Sequence, residues 1–155
     1  MPVGEVNEKK KIESLTYVKT FLAHLIYALN SGNARLSFQK SRVVDENRSE
    51  KYTNRFTIHK LFPNEDEVEV LKRELACLKY QDYIETVCDT RYPDRSDMRV
   101  FGKKYLGEDV YIKIRVELLN VGGLGGDNFI FIMSFHFAES EFLASNFPYR
   151  ENGGK

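Results

Sequence analysis

A chain of 155 residues is the length of one domain and buries roughly two thirds of its unfolded surface on folding, so no disulfide or metal staple is required. Its 23 basic residues balance 23 acidic ones, which removes the overall positive charge of many nucleic-acid binders but leaves room for a few cations lining one cleft. Two cysteines, Cys77 and Cys88, are too few for a disulfide framework or a metal cluster, and no apolar run is long enough to span a bilayer.

The expectations that follow are reduced thiols, a cytoplasmic protein without a secretory leader, no membrane association and no cofactor. Residues 1–11 (MPVGEVNEKKK) are polar and expected to fray, residues 12–150 form a single domain, and 151–155 make a flexible polar end. From Ile12 the apolar residues Leu15, Val18, Phe21, Leu22, Leu25, Ile26 and Leu29 recur at three- and four-residue spacing, which predicts a helix stopped by Ser31-Gly32-Asn33. His24 reads as a packing or surface residue of that helix.

The stretch ARLSFQKSRVV alternates Leu36 and Phe38 with Arg35, Ser37 and Gln39, as a strand exposed on one face does. Asp45 to Asn54 reads as a loop. FTIHKLF (56–62) alternates weakly and reads as a short strand or extended lead-in, with His59 at the surface. Asn64 is the expected N-cap of a second helix whose acidic first turn suits the helix dipole and whose buried face is Val68, Leu71, Leu75 and Leu78. Cys77 reads as a small buried hydrophobe of the same pattern. YQDYIETVCDTRYPDRSD reads as a connector, long enough to suggest a function of its own.

Three strands then follow: MRVFGKK, VYIKIRVELL and FIFIMSFHFAE. A hairpin connection at 103–108 joins the first two, and the glycine-rich VGGLGGD joins the second to the third. That loop lacks the spacing of a phosphate-binding P-loop and reads as a flexible connection. The aromatic residues of ESEFLASNFPYR are positioned to close over a sheet edge. The order of elements predicts an α+β fold, with an antiparallel sheet of about four to five strands and two main helices packed on one face.

Strict alternation groups Ile112, Ile114, Val116 and Leu118 on one face of their strand, and Tyr111, Lys113, Arg115 and Glu117 on the other. In FIFIMSFHFAE it groups Phe129, Phe131, Met133, Phe135 and Phe137 on one side, and Ile130, Ile132, Ser134 and His136 on the other. Antiparallel pairing brings the start of one strand to the end of the next, so Tyr111 and Lys113 are expected beside His136 and Ser134. Arg115 lies one step along, and Lys103 and Arg99 join if their strand pairs with VYIKI.

This set has the groups that RNA transesterification needs. His136 serves as acid or base near neutrality, Lys113 and Arg115 stabilise phosphoryl charge, and Tyr111 orients or stacks on a base. Ser134, Lys103 and Arg99 are candidate substrate contacts, and no metal is called for. The plainer alternative is an open antiparallel sheet whose solvent face carries Lys, Arg and Tyr without chemistry.

The motifs DY (82–83), M-x-VFGK (98–103), VYIKI (110–114), SFHFAE (134–139) and FPYR (147–150), in this order, resemble the motility quorum-sensing regulator (MqsR)-like toxins of the RelE superfamily, over roughly residues 68 to 150. The resemblance implies a compact α+β ribonuclease fold, metal-independent cleavage of messenger RNA and neutralisation by a cognate antitoxin protein. It puts the family's functional tyrosine at Tyr111 and its functional basic residue at His136, where the best-known members have lysine. The ribosome is left open as a further partner. The competing reading is a catalytically inactive relative that binds a protein through the same sheet face or the tail.

Overall fold

The computed structural model describes residues 8–31, 35–38, 50–91, 94–117 and 128–150. The order of its elements is β1 (Glu8–Lys11), α1 (Leu15–Asn30), β2 (Arg35–Phe38), α2 (Asn54–Leu61), α3 (Glu67–Leu75), β3 (Tyr83–Asp89), β4 (Met98–Tyr105), β5 (Glu108–Glu117) and β6 (Phe129–Phe137). The strands form one six-stranded sheet in the order β1-β3-β4-β5-β6-β2. The α+β class stands, but three helices are described where two were expected, and the sheet is larger than expected and mixed, because β2 runs parallel to β6.

Helix α1 starts where Ser14 accepts a hydrogen bond from the Tyr17 amide, and Ser31 closes its end through the Ala28 carbonyl. Its buried residues Val18, Phe21, Leu25 and Ala28 follow the predicted stripe and pack against one face of the sheet. Phe21 stacks on Phe101 at 6.1 Å, and Tyr83 meets Phe101 edge-on at 5.9 Å. Helix α3 is capped by Asp66 rather than Asn64. Asn64 instead takes φ 71° in the preceding turn, a left-handed conformation that asparagine tolerates better than most residues. Val70 is buried where Val68 was expected, and Cys77 is exposed beyond the end of the helix.

Three further readings are corrected. Of residues 1–11, expected to fray, 8–11 form a strand paired antiparallel with Thr86–Asp89 of β3, and 1–7 lie outside the described residues. The connector contains β3, whose alternation is disguised by a register shift between Tyr83 and Glu85. FTIHKLF lies mostly in helix α2, which Thr53 caps and whose buried Asn54, Thr57 and Ile58 follow helical spacing. The period of two seen at Phe56 and Ile58 was too short to separate the alternatives. The 103–108 hairpin is tight, with φ 52° at Leu106 and 83° at Gly107, the two positive values a type I′ turn requires. The VGGLGGD connection, Leu118, residues 39–44 of the expected ARLSFQKSRVV strand, residues 45–49 of the expected loop and residues 151–155 lie outside the described residues, and Asn54, the expected end of that loop, opens α2.

The register of β5 on β6 decides which side chains face out. Lys113 lies opposite Ser134 but Ile114 lies opposite Ile132, so Met133 is the extra residue of a bulge. A bulge reverses the alternation beyond it. Ile130, Ile132, Phe135 and Phe137 therefore all join the helix-side core with Ile112 and Ile114. Phe131 and Met133 join Val87, Met98 and Val100 in a second cluster on the opposite face. The expectation of five residues at odd positions sharing one side is thus overturned.

The bulge also coincides with a change of neighbour. Among the described residues, β2 pairs with β6 as far as Ile132. From there α2 takes over the strand's outer edge with side chains. The Asn54 Nδ2–H donates to the Met133 carbonyl at 3.0 Å, and its Oδ1 accepts from the Phe135 amide at 2.8 Å. Thr57 Oγ1 accepts from the Phe137 amide at 2.9 Å. A helix thus supplies the partners that another strand would offer, and the edge of β6 is satisfied without one.

Candidate functional site

The face of the sheet opposite α1 bears a cleft of about 660 Å³. Tyr111 and Lys113 reach it from β5, and Ser134 and His136 reach it from β6 beyond the bulge. Tyr111 lies directly across from His136, as the expected register requires, and their rings stack with centroids 5.6 Å apart. Lys113 lies across from Ser134. All four expected residues therefore share one site.

Most of the surface of these groups is covered. His136 is 7% exposed, Lys113 9% and Ser134 3%. His136 Nδ1 lies 2.9 Å from the Phe137 carbonyl, which only accepts, so Nδ1 carries a proton. Nε2 is then the ring nitrogen that can exchange one. The Lys113 ammonium lies 3.6 Å from a Glu8 carboxylate oxygen.

The remaining candidates separate. Arg115 is on the same face, with its guanidinium 5.2 Å from the Phe131 ring centre and 3.6 Å from Glu117, and it does not line the cleft. Arg99 and Lys103 are not brought to the site. Their strand does pair with β5, but Arg99 is opposite Ile114 and Lys103 opposite Val110, both residues of the helix-side core. The neighbours of Lys113 and Tyr111 on β4 are Val100 and Gly102. Arg99 instead grips Glu13 through two 2.9 Å hydrogen bonds and lies over Phe21, while Lys103 reaches the Cys77 carbonyl.

Glu13 anchors a buried network at that place. Its carboxylate also accepts from Thr86 Oγ1 at 2.6 Å, Tyr83 lies 2.7 Å from Thr86, and the Tyr149 hydroxyl donates to the Glu13 carbonyl. Burial pushes the Glu13 carboxyl upward, but hydrogen bonds from Arg99 and Thr86 and the charge of Arg99 outweigh it and leave the group below its ordinary range.

Several lining residues escaped the sequence reading. Glu8 belonged to the segment expected to fray, and Asp89 and Arg91 to the presumed connector. Arg91 forms two 3.1 Å hydrogen bonds to the Asp89 carboxylate. Phe142 comes from the tail expected to close over a sheet edge, but it lies on Gly102 of the interior strand β4: a Cβ there would stand 2.5 Å from its ring. Glycine at 102 is what allows this close approach. The signal was Gly102 itself, isolated inside a strand pattern.

Among the described residues no three His, Cys, Asp or Glu side chains converge to hold a metal ion, and no helix is long and apolar enough to cross a membrane. No protein-family model, curated protein or solved structure matches the chain.

Proposed function

We propose that this protein is a metal-independent endoribonuclease that cleaves messenger RNA, the toxin of a type II toxin–antitoxin pair with a RelE/MqsR-like fold. The observation that carries the reading is the convergence of Tyr111, Lys113, Ser134 and His136 in one cleft. In this reading His136 Nε2 takes the proton of a 2′-hydroxyl, and the oxygen attacks the adjacent phosphorus. The bond to the 5′-oxygen breaks, that oxygen takes a proton from Tyr111, and a 2′,3′-cyclic phosphate remains. Lys113 offsets the charge growing on the phosphate, and Ser134 offers it a hydrogen bond. Arg115 steers the neighbouring backbone rather than the scissile group.

The test is cleavage of single-stranded RNA by purified protein in the presence of EDTA. The parent should yield cyclic-phosphate ends, His136→Ala and Lys113→Met should lose at least about 100-fold in rate, and 2′-deoxy substrate should be inert. An inactive parent, or variants as active as the parent, would overturn the reading.

One observation favours the second reading, a binding module. Glu8, Asp89, Glu139 and Glu141 line the cleft against Lys113 and Arg91, and both cations already face carboxylates. A cationic segment of a protein partner suits that rim better than RNA does. The same assay separates the two, since a binding module leaves RNA intact.

A further inference from the structure

The acidic rim has one member that differs from the others in how it is held. Glu8 is the first described residue of β1, and its carboxylate faces the ammonium of Lys113 at 3.6 Å. Lys113 side-chain exposure is 11% while that of Glu8 is 43%, so the lysine is built in and the glutamate is laid over it from outside. In chemical terms a carboxylate stands where an anionic ligand of Lys113 would stand.

β1 itself is lightly attached. All four of its residues, Glu8-Lys9-Lys10-Lys11, are exposed and none is apolar. Among the described residues, apart from the ladder to β3 and the Glu8–Lys113 pair, it is held by the ion pairs Lys10–Glu85 and Lys11–Asp97 at 3.6 and 3.4 Å, whose lysines are more than half exposed. Such pairs add little. Just past β1 the situation reverses, since Glu13 is locked by Arg99 and Thr86. The strand is therefore weakly held at its Glu8 side and anchored just beyond Lys11 by Glu13. Segments with few buried contacts and a short exposed ladder are the first to open.

We propose that β1 is an autoinhibitory strap: Glu8 occupies the anion position of Lys113, and anionic ligands enter the cleft by displacing it. The proposal rests on the ribonuclease reading for the identity of the natural anion, but the contact it describes is testable with a simple anion. Inorganic pyrophosphate and a 2′-O-methyl RNA oligonucleotide, which cannot be cleaved, are titrated against the parent, Glu8→Gln and the double variant Glu8→Gln/Lys113→Met.

The expected result is binding of both probes about two- to fivefold tighter by Glu8→Gln, the scale of one partly exposed ion pair. Lys113→Met should cancel that gain. Equal affinity of parent and Glu8→Gln for both probes would overturn the strap. A gain that survives Lys113→Met would also overturn it, since the effect would then be one of overall charge. A gain for pyrophosphate with no binding of the oligonucleotide by any variant would uphold the strap and overturn the RNA reading instead.

Discussion

Replacing Asn54 tests whether α2 truly substitutes for a strand at the edge of β6. Asn54→Ala removes the donor to the Met133 carbonyl and the acceptor for the Phe135 amide together. Asn54 is 5% exposed, so water has little access to the orphaned groups. Each such group costs about 1–3 kcal/mol, and the pair about 2–5 kcal/mol when partial hydration is allowed. For a chain of this size that is a fall in Tm of about 5–15 °C. Asn54→Asp should be no better at neutral pH. It keeps the acceptor for Phe135 but turns a carboxylate toward the Met133 carbonyl, and part of the loss should return once acid protonates it. Thermal denaturation gives the magnitude, and hydrogen exchange at the Phe135 amide locates it. An unchanged Tm in Asn54→Ala, with Phe135 still protected, would refute the account of the bulge.

Three other outcomes follow from the packing. Glu13→Gln should lose about 1–3 kcal/mol at pH 7. Because the folded carboxyl is depressed, its contribution is present above the ordinary value of 4.5 and fades as pH falls through the lower folded value. Urea midpoints of parent and variant should therefore converge as pH falls below 4.5, and a gap independent of pH would contradict the assignment. Gly102→Ala should cost about 1–3 kcal/mol by driving a methyl group into the Phe142 ring, and Phe142→Ala in the same chain should recover part of it, as denaturant midpoints of the two variants would register. Thr57→Val keeps the shape but strips the acceptor from the Phe137 amide, and calorimetry should show a loss of about 1–3 kcal/mol.

The parts of the fold legible in the sequence are those where one period runs unbroken. α1 has its full apolar stripe, and β5 keeps Val110, Ile112, Ile114 and Val116 on one face, so antiparallel pairing put Tyr111 opposite His136. Illegible parts share a physical cause, a local interruption that only a tertiary partner explains. β3 breaks its alternation near Ile84, and β1 has no apolar residue to announce it. In β6 the polar Ser134 and His136 looked like one face losing its hydrophobicity. They are instead the opposite face, exchanged at Met133, and nothing in the one-dimensional pattern marks an extra residue. Arg99 and Lys103 show the converse limit: proximity of strands was foreseen, but parity sent both side chains to the other side.

The clasp of the first helix by the last aromatic residues has a consequence for the order in which this chain becomes a protein. The Tyr149 hydroxyl meets the Glu13 carbonyl across 136 positions, and the Asn54 amide meets β6 across about 80. β2 likewise has no described strand partner until Phe129–Ile132 exists. On the ribosome, then, α1, β2 and α2 wait as amphipathic pieces with their apolar sides uncovered. The sheet that receives them closes only when β6 emerges. Folding should be a late and nearly simultaneous event, and a chain interrupted before residue 129 should be a substrate for chaperones and proteases rather than a smaller version of the same molecule.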